Sequence, residues 1–385
     1  MVTTEFLSDT HHAVRTLARE FAEGEIAPRA AEWNTAHHVP VDVFRQLGEI
    51  GLMGILVPEE MGGAGLDHTA LCLAVEEVAR ADAGTSVAIA VQNGLAESPI
   101  LAHGTEAQRS RWLPDLAAAR ALGAYALTEP EVGSDAANLR TRAVAREGGG
   151  WVISGAKQWI TNGGIADVYV VFARTGGPGA RGVSAFLTER APGFTVGQEI
   201  PKLGLHSSST VELAFDGLEV PAESLLGDEG AGLRVALRTL DGGRITIAAQ
   251  ACGIASAAVD VARDYATTRV AFGGPIARFQ GVQFPLAEIA ARLDAARLLT
   301  LHAAAMKDAG LPHGIAGAKA KLVASRVAVD AADMAVQTLG GYGYSAEYPA
   351  ERLYRDAKIT ELYEGTSQIQ RLVIARDMLG DAARG

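Results

Sequence analysis

A glutamate near the C-terminus is the first candidate for chemistry in this chain. Glu364 lies between Tyr363 and Gly365 in the run YEGTSQIQR, immediately before a segment that the pattern predicts as the start of a helix. A glutamate beside a glycine is ordinarily a solvated charge. When a carboxylate is removed from water, however, its pKa rises and it becomes a better base near neutral pH. The sequence therefore indicates a candidate general base, provided that the fold buries it.

Five runs upstream contain residues that could contact a ligand: 125–130, 159–163, 202–210, 240–245 and 269–273. Taken singly, each has an ordinary explanation, because a tryptophan in a strand is usually core and a lone arginine is usually a solvated charge. The sequence contains no Walker A loop, HExxH, GxSxG or strand-linked GxGxxG. Phosphoryl transfer, zinc hydrolysis, serine hydrolysis and Rossmann binding of a nicotinamide therefore lose support.

Taken together and in this order, the runs resemble the acyl-CoA dehydrogenases over nearly the whole chain, closest to the short-chain (butyryl-CoA type) branch. These flavoenzymes remove a proton and a hydride from adjacent carbons of an acyl-CoA thioester and release trans-2-enoyl-CoA. The resemblance implies FAD as the cofactor, an electron-transferring flavoprotein as the electron acceptor and a homotetramer. It assigns Glu364 as the base that takes the α-proton, while flavin N5 takes the β-hydride.

The resemblance also implies the contacts of each ligand. A hydroxyl like that of Thr161 bonds flavin N5, and the backbone N–H of Glu364, with a flavin ribityl hydroxyl, binds the thioester oxygen. Residues like Arg269, Phe272 and Gln280 hold the FAD of a neighbouring subunit. The FAD set is Tyr125, Leu127, Thr128, Trp159, Ile160, Thr161, Arg269, Phe272, Gln280, Gln337, Thr338, Leu339, Gly340, Gly341, Thr366 and Gln368; the substrate set is Ser134, Asp241, Arg244 and Gly365, and no metal is implied.

One branch of the family carries its base elsewhere, as a glutamate directly before the arginine of a Leu-Asp-x-x-Arg pattern. That position is Gly243 in this chain, whereas position 364 is a glutamate. The sequence therefore predicts a single base, Glu364, with no rival.

Thr366 is a candidate cap for the helix that begins near Ser367. The free N–H groups and the dipole at a helix start favour a nearby phosphate or carboxyl oxygen. We therefore expect this helix end to help seat the FAD.

Three blocks of local pattern must position these residues. Residues 1–122 and 231–385 show helical periodicity, whereas residues 123–230 contain short β-rich runs between Gly/Pro turns. We predict an α+β multidomain fold: an N-terminal helical domain, a central small β-domain and a C-terminal helical bundle. Because no long helical pattern interrupts the central block, βαβ units and a parallel sheet are not expected there. One helix face of the bundle is predicted from Ile315, Ala318, Leu322, Val329, Val336 and Leu339.

Composition excludes several classes of protein. The net charge is −11 and no basic run is present, so a nucleic-acid partner is not expected. Cys72 and Cys252 are far apart and are predicted to be buried apolar residues. The first six residues show no leader pattern, and no later run is expected to span a membrane. The prediction is a cytoplasmic protein without membrane insertion.

Rival functions stay open at the level of sequence. The same desaturation could act on a carrier-protein thioester, and an oxidase is weaker because oxidases of this fold are usually longer. A non-catalytic flavin-binding or DNA-associated relative would be expected to have a basic surface or to lack Glu364. Residues 85–95 contain no Arg or Lys, which disfavours a dicarboxylyl substrate and favours short straight or short branched acyl chains. His206 departs from the residue common in relatives, and no consequence is predicted.

Overall fold

The computed structural model describes residues 7–383, so the residues of the leader prediction, 1–6, lie outside it. The element order is helical, then β, then helical, which confirms the predicted fold class. The first strand begins at Gly123 and the first helix of the C-terminal part begins at Gly232. The element type thus changes close to the predicted limits, and the division into three domains stays a prediction.

The N-terminal part consists of helices, and side chains cap the starts of several of them. Thr105 and Gln108 form a capping box, because each side chain accepts a hydrogen bond from the backbone N–H of the other. A π-helical segment, Gln92–Glu97, continues one of these helices. The helices are α1 (Asp9–Phe21), α2 (Ala30–Ala36), α3 (Val41–Glu49), α4 (His68–Ala81), α5 (Ala83–Val91), α6 (Ser98–His103) and α7 (Glu106–Ala117).

The central part is a single sheet, eight-stranded within the described residues. Its strands are β1 (Gly123–Ala126), β2 (Arg142–Ala145), β3 (Trp151–Thr161), β4 (Val168–Arg174), β5 (Val183–Thr188), β6 (Phe194–Glu199), β7 (Thr210–Val220) and β8 (Leu225–Leu226). Their order is β6-β7-β3-β2-β4-β5-β8, with β1 beside β4. Most neighbours are antiparallel, but β4 pairs in parallel with β1 and, at one position, with β2. The sheet is therefore not a parallel sheet, as expected, and β2 and β3 make the crossover between β1 and β4.

The C-terminal part is a bundle of long helices. These are α8 (Gly232–Thr268), α9 (Gln280–Asp308), α10 (Gly314–Leu339), α11 (Pro349–Ile359) and α12 (Ser367–Leu379), with a small hairpin of β9 (Val270–Ala271) and β10 (Gly274–Pro275) between α8 and α9. By length and composition alone α8 could cross a membrane, which corrects the expectation that no run could do so. Its apolar length has another cause, since 78% of its most apolar window is buried inside the protein.

The buried face of α10 is made of small residues rather than large ones. Ala318 and Leu339 are buried as predicted, but Leu322, Val329 and Val336 are only partly buried, as is Ile315. The fully buried positions are instead mostly alanines: Ala320, Ala324, Ala328, Ala331, Ala332 and Ala335. Small side chains at a helix contact allow a short interaxial distance, and α10 packs along α8 in this way.

Candidate functional site

The chain turns sharply at Glu364, between α11 and α12. Glu364 has a φ of 50° and Gly365 a φ of 90°, both in the left-handed region. Glycine adopts this conformation freely, whereas a glutamate there must be held by its surroundings. The exit from the turn is fixed by the predicted cap, because Oγ1 of Thr366 accepts a hydrogen bond from the N–H of Ile369 at 3.2 Å.

One carboxyl oxygen of Glu364 is withdrawn from solvent, although the residue as a whole is partly exposed. Its Oε2 is buried and accepts no hydrogen bond from any group in residues 7–383. Burial raises the pKa of Glu364 to about 7, against the lowering effect of the Lys321 and Arg244 charges. Near neutral pH such a carboxylate is partly deprotonated and is bound by no donor, so it can take a proton from a ligand.

Space for this carboxyl depends on Gly243 in α8. A Cβ at position 243 would overlap Oε2 of Glu364 and would lie 3.0 Å from its Cδ. The side chain of Glu364 and a side chain at position 243, where the other branch has its base, would therefore occupy the same space. Only one of the two positions can carry a side chain in this arrangement. The Cδ2 of Leu95 lies 3.4 Å from the same point, so an apolar group borders the carboxyl.

Two predicted substrate residues lie in the same part of α8. Arg244 is 8% exposed and donates to Oδ1 of Asp241 at 2.7 Å. Its charge helps to lower the pKa of Glu364, so the three residues share one electrostatic environment. Because Arg244 is paired with Asp241, it makes no ion pair with Glu364 within the described ranges.

Two tyrosines complete the surroundings of the carboxyl. Burial first, and the charge of Glu364 second, raise the pKa of Tyr125 and of Tyr363 well above the usual value. The hydroxyl of Tyr125 donates to the Ala236 carbonyl of α8 at 3.3 Å, and that of Tyr363 donates to Oε1 of Gln250. The structure thus brings a predicted flavin residue from β1 close to the predicted base.

The predicted flavin residues of β3 lie at a bulge. The pairing of β3 with β7 shifts between Lys157 and Ile160, and Trp159 has a φ of 63° and is 52% exposed. The N–H of Gln158 donates to the Thr128 carbonyl at 2.9 Å, so the two predicted flavin segments adjoin. A large aromatic side chain exposed at a strained backbone position is suited to contact with a planar ring. The Ile160 side chain, in contrast, is buried in the sheet.

A buried ion pair joins these two segments. Nζ of Lys157 donates to Oε1 of Glu129 at 2.8 Å and to the Leu127 carbonyl at 3.1 Å. The sequence analysis missed both charged residues, because lysine and glutamate are rarely buried. The alternation of side chains along a strand could have indicated this burial. Lys157 is four residues after the buried Ile153, an even number, so both side chains face the same side of the sheet.

A second set of predicted FAD residues lines a surface cleft of about 520 Å³. The guanidinium of Arg269 lies over the ring of Tyr342, 5.5 Å from its centroid. A Cβ added to Gly340 or to Gly341 would meet nothing within 4 Å, so the cleft is open beside these two residues. The predicted residues that line it are Arg269, Thr338, Leu339, Gly340 and Gly341.

Other predicted residues are not brought into this cleft. Phe272 is 89% exposed, with a φ of 49° in the hairpin between α8 and α9. Ser134 lies in an exposed segment after β1. The side chains of Gln280, Gln337 and Gln368 are also exposed.

The residue without a predicted role, His206, joins two loops. Its ring stacks on that of His37 with 4.3 Å between the centroids, and its Nε2 bonds the Lys202 carbonyl at 2.8 Å. Burial lowers the pKa of His206, which favours the neutral ring. Cys72 and Cys252 are buried and free, as predicted.

Lys321 of α10 is the site residue that the sequence analysis missed most clearly. Its side chain is 1% exposed, and its charge acts on Glu364. Helix periodicity is the signal that could have found it, since Gly317, Ala324 and Ser325 lie three or four residues away and are buried.

Comparison with known proteins found matches along nearly the whole chain. Three family models match successive parts of the chain: the acyl-CoA dehydrogenase N-terminal domain at residues 8–120, the middle domain at 124–218 and the C-terminal domain at 230–379. An acyl-CoA dehydrogenase of Bacillus subtilis is 49% identical over 95% of this chain and 97% of its own. The mitochondrial short-chain specific acyl-CoA dehydrogenase of Bos taurus is 48% identical over 97% of this chain and 91% of its own.

Solved structures agree with these matches. A chain in the structure of the electron transferring flavoprotein of Acidaminococcus fermentans has a TM-score of 0.96 and 45% identity, covering 97% of this chain and 99% of that one. The butyryl-CoA dehydrogenase of Megasphaera elsdenii has a TM-score of 0.95 and 43% identity, with the same coverage. A glutaryl-CoA dehydrogenase from Mycobacterium smegmatis in complex with FADH2 has a TM-score of 0.94 and 32% identity, covering 100% of this chain and 98% of that one.

Proposed function

The chain belongs to the acyl-CoA dehydrogenase family, and from this premise we propose that Glu364 is the base of an FAD-dependent dehydrogenation of acyl-CoA to trans-2-enoyl-CoA. The observation that carries the proposal is the Glu364 carboxyl: Oε2 is buried, accepts no hydrogen bond within residues 7–383 and occupies space that Gly243 leaves open. The retained base also argues against a non-catalytic relative.

The local structure meets the demands of this reaction. The α-hydrogen of a thioester is a very weak acid, so the base must be kept from water and the carbonyl must be polarised. Burial of the Glu364 carboxyl supplies the first condition. For the second, the backbone N–H of Glu364 bonds no acceptor in the described part of the chain and can donate to the thioester oxygen. Gly365, without a side chain, leaves room for the acyl group to approach.

The residues present fit an FAD. Trp159 presents an exposed indole. Thr161 lies in the same strand, Thr128 lies in the segment bonded to Gln158, and both threonines are partly exposed. These groups would hold the flavin ring, with the Lys157–Glu129 pair fixing the two segments that carry them. When bound, FAD supplies the hydride acceptor for the β-carbon.

The exposed part of the FAD set supports a shared site. Arg269 lies at an open cleft, and Phe272 and Gln280 face solvent in the single chain, as residues that serve a neighbouring subunit's FAD would. We propose a homotetramer on this ground. An electron-transferring flavoprotein is proposed as the acceptor, supported by the similarity to a chain in the structure of such a protein. A cytoplasmic location stays a prediction.

Replacing Thr366 by alanine tests the helix-cap hypothesis. Loss of the Thr366 hydroxyl frees the N–H of Ile369 and weakens the start of α12, at a cost of about 1 kcal/mol of stability. If the helix start seats the FAD, FAD affinity falls as well, and this is measured by flavin fluorescence during titration of the apoprotein. A variant with lower stability but unchanged FAD affinity would refute the hypothesis and leave a purely structural cap.

A short acyl chain is the proposed substrate class. The segment from Thr85 to Leu95 is buried and carries no charged side chain. No cation is available there for a distal carboxylate, which disfavours a dicarboxylyl ester. The short-chain specific and butyryl-CoA relatives support short straight or short branched chains.

Anaerobic titration with butyryl-, isobutyryl- and octanoyl-CoA tests the function directly. Rapid bleaching of the flavin band is expected with a short ester and slow bleaching with octanoyl-CoA. A yellow protein that no CoA ester bleaches would favour the rival reading, in which the thioester is on a carrier protein. A protein that cannot be loaded with FAD would overturn the proposal.

A further inference from the structure

Lys321 has an environment that is unusual for a lysine. Its side chain is 1% exposed, and it forms no ion pair within residues 7–383. Lysine is almost never fully buried without a partner, because desolvation of an ammonium is costly. The position therefore requires an explanation that the packing of α10 against α8 does not give.

The hydrogen bonds of Lys321 supply part of that explanation. Nζ donates to the carbonyl of Thr360 and to the carbonyl of Gly365, at 2.9 Å each. One donor thus links the start of the loop after α11 to the residue directly after Glu364. Ser325, one helical turn further along α10, donates to the same Thr360 carbonyl at 2.8 Å.

This bridge acts on a backbone segment that needs support. Glu364 and Gly365 both have positive φ values, a conformation that persists for a glutamate only when the surroundings impose it. The Gly365 carbonyl accepts a second hydrogen bond from Nε2 of Gln370 at 2.8 Å, so two side chains fix this peptide group. Holding this peptide group restrains the backbone turn from which the Glu364 side chain projects.

The charges around the carboxyl are few and can be named. Lys321 faces Glu364 from α10, and Arg244 faces it from α8 while paired with Asp241. Tyr125 and Tyr363 contribute neutral phenols from β1 and from the turn itself. Both cations lower the pKa of Glu364, but Arg244 shares its charge with Asp241, whereas Lys321 forms no ion pair within residues 7–383. Glu361, in the turn after α11, is the other carboxylate whose charge acts on Lys321.

We propose that Lys321 is the positioning residue of the base, holding the Glu364 turn through two carbonyls and stabilising the carboxylate through its charge. This inference rests on the proposed function, because it concerns the base of that reaction. Lys321 bonds the backbone on both sides of Glu364, so it would act through the position of Glu364. Its role therefore has two parts, hydrogen bonding and charge, which different substitutions separate.

The pH dependence of flavin reduction distinguishes the two parts. Burial raises the pKa of Glu364 to about 7 and lowers the pKa of Lys321 to about 8. In the wild type the rate is expected to rise as Glu364 loses its proton, so the ascending limb of the pH profile reports the pKa of that group. Without the ammonium charge the pKa of Glu364 rises, and the ascending limb moves to higher pH.

The experiment uses the FAD-loaded enzyme and the variants Lys321→Gln and Lys321→Met. Lys321→Gln keeps a donor without the charge: its ascending limb is expected to move up by about one pH unit, and the rate at pH 7 to fall about fivefold, as the deprotonated fraction of Glu364 does. Lys321→Met also removes the donor and is expected to lose further rate at every pH. The matched control is Ser325→Ala, which removes a hydrogen bond to the same carbonyl but no charge, and its pH profile is expected to match the wild type.

A second readout keeps the test independent of turnover. The infrared band of the Glu364 carboxyl, identified by its loss in Glu364→Gln, gives the pKa of that group directly and is expected to show the same upward change in Lys321→Gln. An unchanged Glu364 pKa and pH profile in a folded Lys321→Gln enzyme would overturn the proposal. Failure of the proposed function is a different result, since the wild type itself would then not be bleached by any acyl-CoA.

Discussion

Replacing Glu364 by glutamine is expected to lower the rate of flavin reduction by a short acyl-CoA about 1,000-fold, the scale on which a general base contributes. Glutamine has nearly the same shape but cannot accept the α-proton. Because Oε2 of Glu364 accepts no hydrogen bond within residues 7–383, the change breaks no bond of the folded protein at that atom. The variant is therefore expected to fold and to retain its FAD.

Stopped-flow reduction under anaerobic conditions measures this loss, with FAD content determined on the same samples. Glu361→Gln is the matched control. Glu361 is in the same turn, but it pairs with Lys358 and lies near Arg326 rather than facing the base. A Glu364→Gln enzyme that is reduced at a rate near that of the wild type would show that another group takes the proton.

The same variant has an expected effect on stability. Because burial raises the pKa of Glu364 from 4.5 to about 7, the folded protein keeps a proton that the unfolded chain releases. The free energy of unfolding of the wild type therefore falls as the pH rises from 4.5 to 7, and stays lower above 7. Glutamine cannot ionise, so Glu364→Gln is expected to melt at a higher temperature than the wild type at pH 8, with little difference at pH 4.

The sequence was sufficient to predict the order of helical and β parts, because periodicity sets the element type. The run around Glu364 was sufficient to nominate this residue as the base, and that assignment stays a proposal. The sequence did not predict all the buried residues of α10, because the predicted face consists mainly of large aliphatic side chains. Close packing against α8 instead selects alanines such as Ala324 and Ala328. How closely a helix packs depends also on the side chains of its partner helix, so it cannot be recognised from the spacing of apolar residues in one helix alone.

Residues that act through others were also beyond the sequence analysis. Lys157 and Lys321 are charged, and charge in a single sequence indicates the surface. Their burial depends on acceptors far along the chain: Glu129 for the first, and the Thr360 and Gly365 carbonyls for the second. The positive φ of Trp159 is likewise a consequence of pairing between β3 and β7. Only the assembled fold shows these contacts.

Replacing Gly243 by alanine is the second change with a large expected effect, about 100-fold in the rate of flavin reduction. The added Cβ would overlap Oε2 of Glu364, and the flexible carboxyl end would have to move. A displacement of about 1 Å at a reacting group is enough to cost about 100-fold. The backbone of α8 gains from the change, because alanine is favoured over glycine in a helix by up to about 1 kcal/mol.

The combination is diagnostic because activity and stability are expected to move in opposite directions. A lower rate in an enzyme that melts no earlier than the wild type cannot come from damage to the fold, so it locates the effect at the carboxyl.

Gly242→Ala is the matched control: a Cβ there would lie 3.1 Å from Nζ of Lys307 and 3.2 Å from Nε2 of His68, away from the base. Stopped-flow rates and melting temperatures of both variants make the comparison. Equal rates for Gly243→Ala and Gly242→Ala would mean that Glu364 reaches the substrate from a different position. The proposal that Glu364 acts as the base from the space that Gly243 leaves open would then be wrong.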